Sequence, residues 1–158
     1  MANPGVVQCF DHDYFGIRAG EVNRMDPQQR LLLHQATGAL IQAQMSNLKA
    51  KPIAVYVGCS HHDWARVLMH ANDASPYNTT GAATSVMAGR ISFELGLTGP
   101  SMVVDTACSS SLVACRLGYE YVQENACTQA VVAGVNLLLD PMQSVLYCQT
   151  QMLSINGR

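Results

Sequence analysis

Three short apolar runs, separated by residues with helical spacing, most constrain how this chain folds. The run at residues 53–57 (IAVYV) is β-branched, follows Pro52 and stops before Gly58, as a buried strand does. Two further candidate strands are residues 101–105 (SMVVD) and 130–135 (AVVAGV). Strands that alternate with helices predict an α/β layered fold with a mainly parallel or mixed sheet.

The first long helix has a recognisable start at residues 25–30 (MDPQQR). Asp26 is suited to cap the helix, and Pro27 takes the first helical position, where its missing N–H costs nothing. Gln29 is placed to complete a capping box with Asp26. The apolar residues that then recur at helical spacing are Leu32, Leu33, Ala36 and Leu40.

Local signals indicate the remaining elements. Residues 73–81 are rich in Asn, Ser, Thr, Pro and Gly, and they predict a loop between two halves of one domain. Residues 96–100 are expected to turn the chain. Four further helices are predicted. The first begins near Asp63 and the second covers residues 85–95. The third runs from after Cys108 to about Gln123, and the fourth lies within residues 137–152 with a boundary at Pro141.

Charged residues are scarce in this chain. Of its 158 residues 13% are charged and 49% are hydrophobic, whereas about a quarter of an ordinary soluble domain is charged. Such a shortage fits a membrane protein, a buried piece of a larger assembly or a tight oligomer. The long uncharged stretches contain Gln, Asn and Thr, which a membrane helix would have to desolvate. Since the formal net charge is only -2, we expect neither a membrane nor a nucleic-acid partner.

The N-terminus and the cysteine pattern both indicate a cytoplasmic, reducing environment. Residues 1–10 contain neither a basic leader nor a sustained apolar run. The six cysteines are widely scattered and form no Cys-x-x-Cys pair, which argues against a disulfide framework. Cys59 precedes His61, His62 and Asp63, a group that fits either a metal site or a polar loop leaving a strand. The loop is favoured because a matching ligand pair is missing, so we predict no metal.

The residues that carry chemistry are most concentrated at 105–111 (DTACSSS). A strand delivers the thiol of Cys108 to a sharp turn, from which a helix leaves at once. The unpaired N–H groups and the positive dipole end of that helix favour thiolate over thiol. The same N–H groups are suited to stabilise an oxyanion when the sulfur attacks a thioester carbonyl. From position alone, a buried structural cysteine is an equally good interpretation.

The sequence around Cys108 resembles the nucleophile motif of the β-ketoacyl synthases, especially the ketosynthase domains of type I polyketide synthases and related fatty acid synthases. The motif is DTACSSSL at residues 105–112. The resemblance covers essentially the whole chain from Phe10 onward. The other matching strings are FD at 10–11, YFGI at 14–17, MDPQQRLLL at 25–33, AGRIS at 88–92, LGLTGPS at 95–101, AGVN at 133–136, MLS at 152–154 and GR at 157–158.

This resemblance implies a thiolase-like layered fold, αβαβα in the full family, of which the chain is a part. It implies that Cys108 accepts an acyl chain from the phosphopantetheine thiol of an acyl carrier protein. The family then decarboxylates a malonyl-type extender, whose carbanion attacks the acyl-cysteine in the Claisen condensation of polyketide or fatty acid biosynthesis. The implied partners are the acyl carrier protein, a second copy of the chain and other synthase domains, with no cofactor bound.

The resemblance also suggests roles for two groups of residues. In the family, the strand before the nucleophile pairs across a homodimer, and an upstream loop reaches the acyl pocket of the partner. The implied dimer residues are Met102, Val103 and Val104. The candidate acyl-pocket residues are Thr80, Met87 and Thr106. For Met87 and Met102, ordinary core filling is the preferred alternative.

The departures from the family limit what the chain is expected to do. Family members are more than twice this length and carry two catalytic histidines, in His-Gly-Thr-Gly-Thr and Asn-x-Gly-His strings that are absent here. All five histidines precede Cys108, so none takes those roles. We expect residues 1–158 to be the N-terminal half of a ketosynthase domain, without its first strand and C-terminal half. A non-extending acyl-binding or acyl-transfer relative and a non-catalytic dimerisation fragment are the alternatives.

Overall fold

The sheet is centred on the first of the three apolar runs. The computed structural model describes residues 9–71, 74–124, 127 and 129–156. In it, strand β1 (Ala54–Gly58) is buried along its whole length. It pairs in parallel with β2 (Ser101–Val104) on one side and β3 (Ala130–Gly134) on the other, so the strand order is β2–β1–β3. The predicted α/β fold with a parallel sheet is therefore confirmed.

Helices cover both faces of this sheet. In chain order they are α1 (Ala19–Val22), α2 (Pro27–Gln42), α3 (Trp64–His70), α4 (Tyr77–Ala82), α5 (Val86–Leu95), α6 (Ser110–Gln123) and α7 (Pro141–Gln149). Val55 and Val57 of β1 pack with the buried apolar residues of α2 and α5. Tyr56 points to the opposite face and packs with Ala114 of α6. This alternation along β1 produces the helix–sheet–helix layers.

The start of α2 confirms the predicted cap but not the predicted capping box. Asp26 Oδ1 accepts the Gln28 N–H at 2.7 Å, and Pro27 is the first helical residue. Gln29 does not return to Asp26, because the Asp26 N–H already donates to the Gly81 carbonyl at 2.9 Å. The Gln29 amide also donates to Gly81, at 3.0 Å, and so joins α2 to α4. The four apolar residues predicted at helical spacing, Leu32, Leu33, Ala36 and Leu40, are all buried.

Two short helices differ from the sequence prediction. Within the predicted loop at 73–81, of which Asp73 lies outside the described residues, Tyr77–Ala82 forms α4. Asn, Thr and Gly have low helix propensity, so the sequence did not indicate this helix. Hydrogen bonds from the Gln29 side chain of α2 to the Thr80 and Gly81 carbonyls hold it in place. Helix α1 was not predicted. The turn after α5 is confirmed, since Gly96 ends that helix in the left-handed conformation with φ 66°.

The C-terminal third of the described chain exposes many large apolar side chains. They are Leu112, Tyr119, Val132, Leu138, Met142, Val145, Leu146, Met152, Leu153 and Ile155. An apolar surface of this kind is typical of a protein interface. No helix in the described part of the chain is long and apolar enough to cross a bilayer.

Candidate active site

The three parallel strands end at one edge of the sheet, and the segments that follow them form a cleft. This cleft of about 320 Å³ is lined by Cys59 after β1, Cys108 after β2 and Asn136 after β3. An adjoining cavity of about 820 Å³ shares Cys108 and Asn136 and is also lined by His61 and Tyr147. Ligands of open α/β sheets bind at this edge. Cys108 is exposed, so the structural alternative of a buried cysteine is wrong.

A sharp turn presents the Cys108 thiol. Ala107, the preceding residue, has a φ of 55°, in the left-handed region that alanine adopts at a cost of at least about 1 kcal/mol. Asp105 Oδ1 accepts the Ala107 N–H at 3.0 Å. The Ser110 hydroxyl accepts the Thr106 N–H at 2.9 Å and donates to the Ala107 carbonyl at 2.6 Å. These hydrogen bonds from both sides stabilise the strained turn.

Helix α6 begins directly beyond the thiol. Ser109 is its N-cap residue, so Cys108 lies one position before the N-cap of a helix of 14 residues. The first N–H groups of a helix lack intrahelical partners and form the positive end of its dipole. Ser110 and Ser111, the first two residues of α6, line the cleft together with Cys108. An anion formed in the cleft would therefore lie beside the positive end of α6.

The start of α6 packs closely against the ends of β1 and β3. A Cβ atom added to Gly58, at the end of β1, would lie 2.5 Å from the Ser111 nitrogen and 2.6 Å from the Ser110 carbonyl carbon. A Cβ atom added to Gly134, at the end of β3, would lie 2.9 Å from the Ser111 Cβ. The absence of side chains at these strand ends brings the start of α6 into the cleft.

The polar side chains that follow β1 form hydrogen bonds to other groups of the protein. The buried Cys59 thiol donates to the His61 carbonyl at 3.2 Å, and burial raises the pKa of this thiol. His61 Nε2 lies 2.6 Å from the Tyr147 hydroxyl. Asp63 Oδ2 accepts the Leu139 N–H at 2.9 Å. Among the residues that the structure describes, no three His, Cys, Asp or Glu side chains are grouped so as to hold a metal ion.

Asp140 anchors the segment between β3 and α7. Its carboxylate caps α7 by accepting the Met142 N–H at 2.8 Å and also pairs with Arg66 of α3. The Met142 N–H and the Arg66 guanidinium together lower the pKa of Asp140. The Asp140 N–H donates to Asp63 Oδ2 at 2.9 Å. Helices α3 and α7, which flank the larger cavity, are thus tied to each other.

The candidate acyl-pocket residues lie in different parts of the structure. Thr106 is in the nucleophile turn, where its N–H donates to Ser110. Thr80 is exposed on α4 and lines a separate pocket with Phe93 of α5. Met87 is fully buried in the core, which confirms the core-filling alternative for this residue. None of the three lines the cleft or the adjoining cavity that contain Cys108.

The candidate dimer residues lie on β2, an edge strand of the described three-stranded sheet. Val103 and Val104 are partly buried. Met102 is 43% exposed, so the core-filling prediction for this side chain is wrong. Among the described residues β2 pairs only with β1, so the other side of this strand has no neighbouring strand.

Sequence analysis missed the polar side chains that hold the cleft together. Ser110 was hidden in a run of three serines, and Tyr147 lies far from Cys108 in the sequence. The clearest missed signal is the pair of glutamines in MDPQQR. Both are essentially fully buried, at 0% exposure for Gln28 and 1% for Gln29. A buried amide needs hydrogen-bond partners, and those partners lie in distant segments.

Replacing Ser110 by alanine is expected to lower the free energy of unfolding by about 1–3 kcal/mol, because the buried Ser110 hydroxyl makes two hydrogen bonds, one from the Thr106 N–H and one to the Ala107 carbonyl. Urea unfolding measures the loss. The matched control is Ser109→Ala, which removes an exposed hydroxyl that donates to the Thr106 carbonyl at 2.8 Å. That change is expected to cost less than about 0.5 kcal/mol. Equal losses in the two variants would contradict the role given to Ser110.

Comparison with known proteins identifies the family. The family model described as "Beta-ketoacyl synthase, N-terminal domain" matches residues 3–158. The polyketide synthase component of compactin nonaketide synthase from Penicillium citrinum is 43% identical over 152 residues, which are 94% of this chain and 5% of that protein. The polyketide synthase component of lovastatin nonaketide synthase from Aspergillus terreus is 44% identical over 153 residues, which are 95% of this chain and 5% of that protein. The chain therefore spans a small part of these curated relatives.

A solved structure agrees with this assignment. The ketosynthase from module 6 of the bacillaene synthase from Bacillus subtilis 168 superposes with a TM-score of 0.86 at 32% identity. The match covers 97% of this chain and 26% of that one. It confirms the predicted thiolase-like ketosynthase fold. The chain belongs to the β-ketoacyl synthase family, matches the N-terminal domain of that family, and corresponds to the ketosynthase region of polyketide synthases.

Proposed function

We propose that Cys108 is the acyl-accepting nucleophile of a polyketide ketosynthase. The observation that carries the proposal is an exposed thiol in a cleft at the carboxyl edge of the sheet, directly before the N-terminus of α6. The Cys108 thiolate attacks the carbonyl carbon of an acyl thioester. The tetrahedral oxyanion then collapses, the bond to the phosphopantetheine sulfur breaks, and that sulfur leaves as a thiolate that takes up a proton. The product is an acyl group bound to Cys108.

The surrounding residues have distinct parts in this step. The Ser110 N–H already donates to the Ala107 carbonyl at 3.1 Å. The N–H groups that follow it in the first turn of α6 stabilise the thiolate and the oxyanion, since they carry the positive end of the helix dipole. Asp105 and Ser110 hold the turn that directs Cys108 into the cleft. Thr106 is a candidate acyl-pocket residue only because it lies in the same turn as Cys108. Cys59 takes no part as a nucleophile, because burial raises the pKa of its thiol and keeps it protonated.

The later steps and the partners complete the proposal. In a protein where this region is accompanied by the His-Gly-Thr-Gly-Thr and Asn-x-Gly-His strings, acyl-Cys108 undergoes decarboxylative condensation with a malonyl-type extender. The thioester donor is a cytoplasmic acyl carrier protein bearing phosphopantetheine, and other synthase domains lie in the same parent chain. The open edge of β2, with Met102, Val103 and Val104, is suited to pair with a second copy. The exposed apolar side chains of α7 are suited to pack on further protein.

The proposal predicts that the chain gains the mass of one acyl group when it is mixed with an acyl-phosphopantetheine thioester. Intact-mass spectrometry over time gives the rate. Cys108→Ala is expected to reduce this rate at least about 1,000-fold, because the nucleophile is lost. Cys115→Ala is the matched control, since Cys115 is another exposed cysteine and lies on α6 itself. Equal acylation of the Cys108→Ala variant and the wild type would contradict the proposal.

A further inference from the structure

The side-chain amide of Gln28 is fully buried and hydrogen-bonded at both ends. Its nitrogen donates to the His61 carbonyl at 2.8 Å and to Asp26 Oδ2 at 3.3 Å. Its oxygen accepts the Leu137 N–H at 2.9 Å, and the Cys59 sulfur lies 3.9 Å from that oxygen. His61 lies in the loop that follows β1, and Leu137 lies in the loop that follows β3. One amide from the start of α2 therefore joins these two loops.

These bonds continue the sheet beyond the point where its strands separate. The last backbone link between the two strands is the Val135 N–H, which donates to the Gly58 carbonyl at 3.0 Å. Further along, the Leu137 N–H and the His61 carbonyl each meet the Gln28 amide. The side chain of Gln28 thus takes the place of a backbone hydrogen bond between two segments that have moved apart.

Both of these loops line the cleft that contains Cys108. Cys59 and Ser60 contribute one wall, and Val135 and Asn136 contribute another. Neither wall belongs to the turn that carries Cys108 or to α6, so the distance of each wall from the thiol depends on what holds that wall. A misplacement of about 1 Å in a reaction site costs on the order of 100-fold in rate.

We propose that Gln28 is a positioning residue for acylation at Cys108, because its buried amide sets the separation of the two loops that hold the thioester against the thiol. This inference rests on the proposed function and deepens it. Gln28 does not contact the acyl group. It acts through the His61 carbonyl and the Leu137 N–H, and so through the residues next to them that line the cleft.

Gln29 provides a matched control on the neighbouring position of α2. Its amide is as buried as that of Gln28 and also forms several hydrogen bonds. Its nitrogen donates to the Thr80 and Gly81 carbonyls at 3.0 Å, and its oxygen accepts Arg90 Nε at 3.1 Å. These partners lie on α4 and α5, away from the cleft. Gln29→Met therefore removes a comparable buried amide without releasing either loop.

The experiment compares single-turnover acylation of wild type, Gln28→Met and Gln29→Met by an acyl-phosphopantetheine thioester. Methionine keeps the length and packing of glutamine but lacks its amide. We expect the rate constant at saturating thioester to fall at least about tenfold in Gln28→Met and less than about twofold in Gln29→Met. A merely structural role would lower the fraction of chains that react and leave this rate constant unchanged. Equal rate constants in the two variants would overturn the proposal.

Alkylation of Cys59 tests the inference separately from the proposed function. Iodoacetamide under native conditions is expected to leave Cys59 unlabelled in wild type and Gln29→Met, where the thiol stays buried. It is expected to label Cys59 in Gln28→Met, where the loops separate. Protection of Cys59 in Gln28→Met would overturn the inference. Failure of the wild type to accept an acyl group, with the labelling pattern as expected, would instead contradict the role of Cys108.

Hydrogen exchange in the wild type gives a test that needs no folded variant. Leu137 lies outside every helix and strand of the structure, yet its N–H donates to the buried Gln28 amide. We expect this N–H to exchange as slowly as the N–H groups of β1. Exchange at the rate of an unprotected loop would overturn the proposal even if Gln28→Met does not fold.

Discussion

Gly58→Ala is expected to lower the free energy of unfolding by about 3 kcal/mol or more, because the new methyl group meets backbone atoms. Its Cβ would lie 2.5 Å from the Ser111 nitrogen and 2.6 Å from the Ser111 Cα. No flexible side-chain end is available to move aside. Either α6 shifts away from β1 or the strand bends, and both changes move Cys108 relative to the cleft. Acylation of Cys108 is therefore expected to fall together with stability.

Gly38→Ala is the matched control for this substitution. Gly38 lies within α2, and a Cβ atom there meets nothing within 4 Å. Because alanine is the better helix former, this variant is expected to gain up to about 1 kcal/mol. Urea unfolding of both variants measures the two effects. A Gly58→Ala variant as stable as the wild type would contradict the close approach of α6 to β1.

Glu21→Ala is expected to lower the free energy of unfolding by about 2 kcal/mol, because it removes the carboxylate that pairs with the buried Arg90 guanidinium. Glu21 Oε1 pairs with Arg90 Nη1 at 2.7 Å, and the Arg90 side chain is only 8% exposed. Removal of one partner of a buried pair leaves an uncompensated charge, which costs about 3–5 kcal/mol when both partners are fully buried. The expected cost is smaller here because Glu21 is 23% exposed and Arg90 keeps its bond to Gln29.

Glu120→Ala is the control for this prediction, since its pair has the same chemistry and the same length. Glu120 lies 2.7 Å from Arg116, one turn earlier on α6, and the two side chains are 43% and 66% exposed. Exposed pairs of this spacing contribute about 0.3–0.5 kcal/mol. Thermal or urea unfolding distinguishes the two variants. Equal costs at the two sites would show that burial of Arg90 does not determine the effect.

Elements with strong local signals could be predicted from the sequence. The run at residues 53–57 (IAVYV) before Gly58 predicted the central strand within one residue at each end. Asp26 and Pro27 predicted the start of α2, and Pro141 predicted the start of α7. In each case a short stretch contains the whole physical reason, which is a β-branched run or a helix cap.

Features that depend on distant contacts could not be predicted. Gln29 was assigned to a capping box because its position fits one, but the Gly81 carbonyl had already taken the Asp26 N–H. Helix α4 was assigned to a loop because its residues are poor helix formers. Met102 was assigned to the core because the methionine side chain adapts easily to the packing of a core. Only the order of the strands reveals that β2 lies at an edge.

The candidate site likewise combines a residue that the local sequence indicates with residues whose positions depend on distant contacts. Cys108 was predicted to be the nucleophile because DTACSSSL resembles the motif of the family, whereas its position between a strand and a helix left a buried structural cysteine equally possible. The positions of Thr80 and Met87 relative to the cleft could not be predicted, since they depend on how α4 and α5 pack. The bonds of Gln28 to His61 and Leu137 span 33 and 109 residues of sequence, and no local pattern indicates them.

The location of the acyl group tests the central claim most directly. The wild-type chain is mixed with an acyl-phosphopantetheine thioester, quenched at early times and mapped by peptide mass spectrometry. The account predicts that the acyl group appears on Cys108 before it appears on the other exposed cysteines, Cys9, Cys115 and Cys148. Similar labelling of all exposed cysteines, or first labelling at another residue, would contradict the assignment of Cys108 as the acyl-accepting nucleophile.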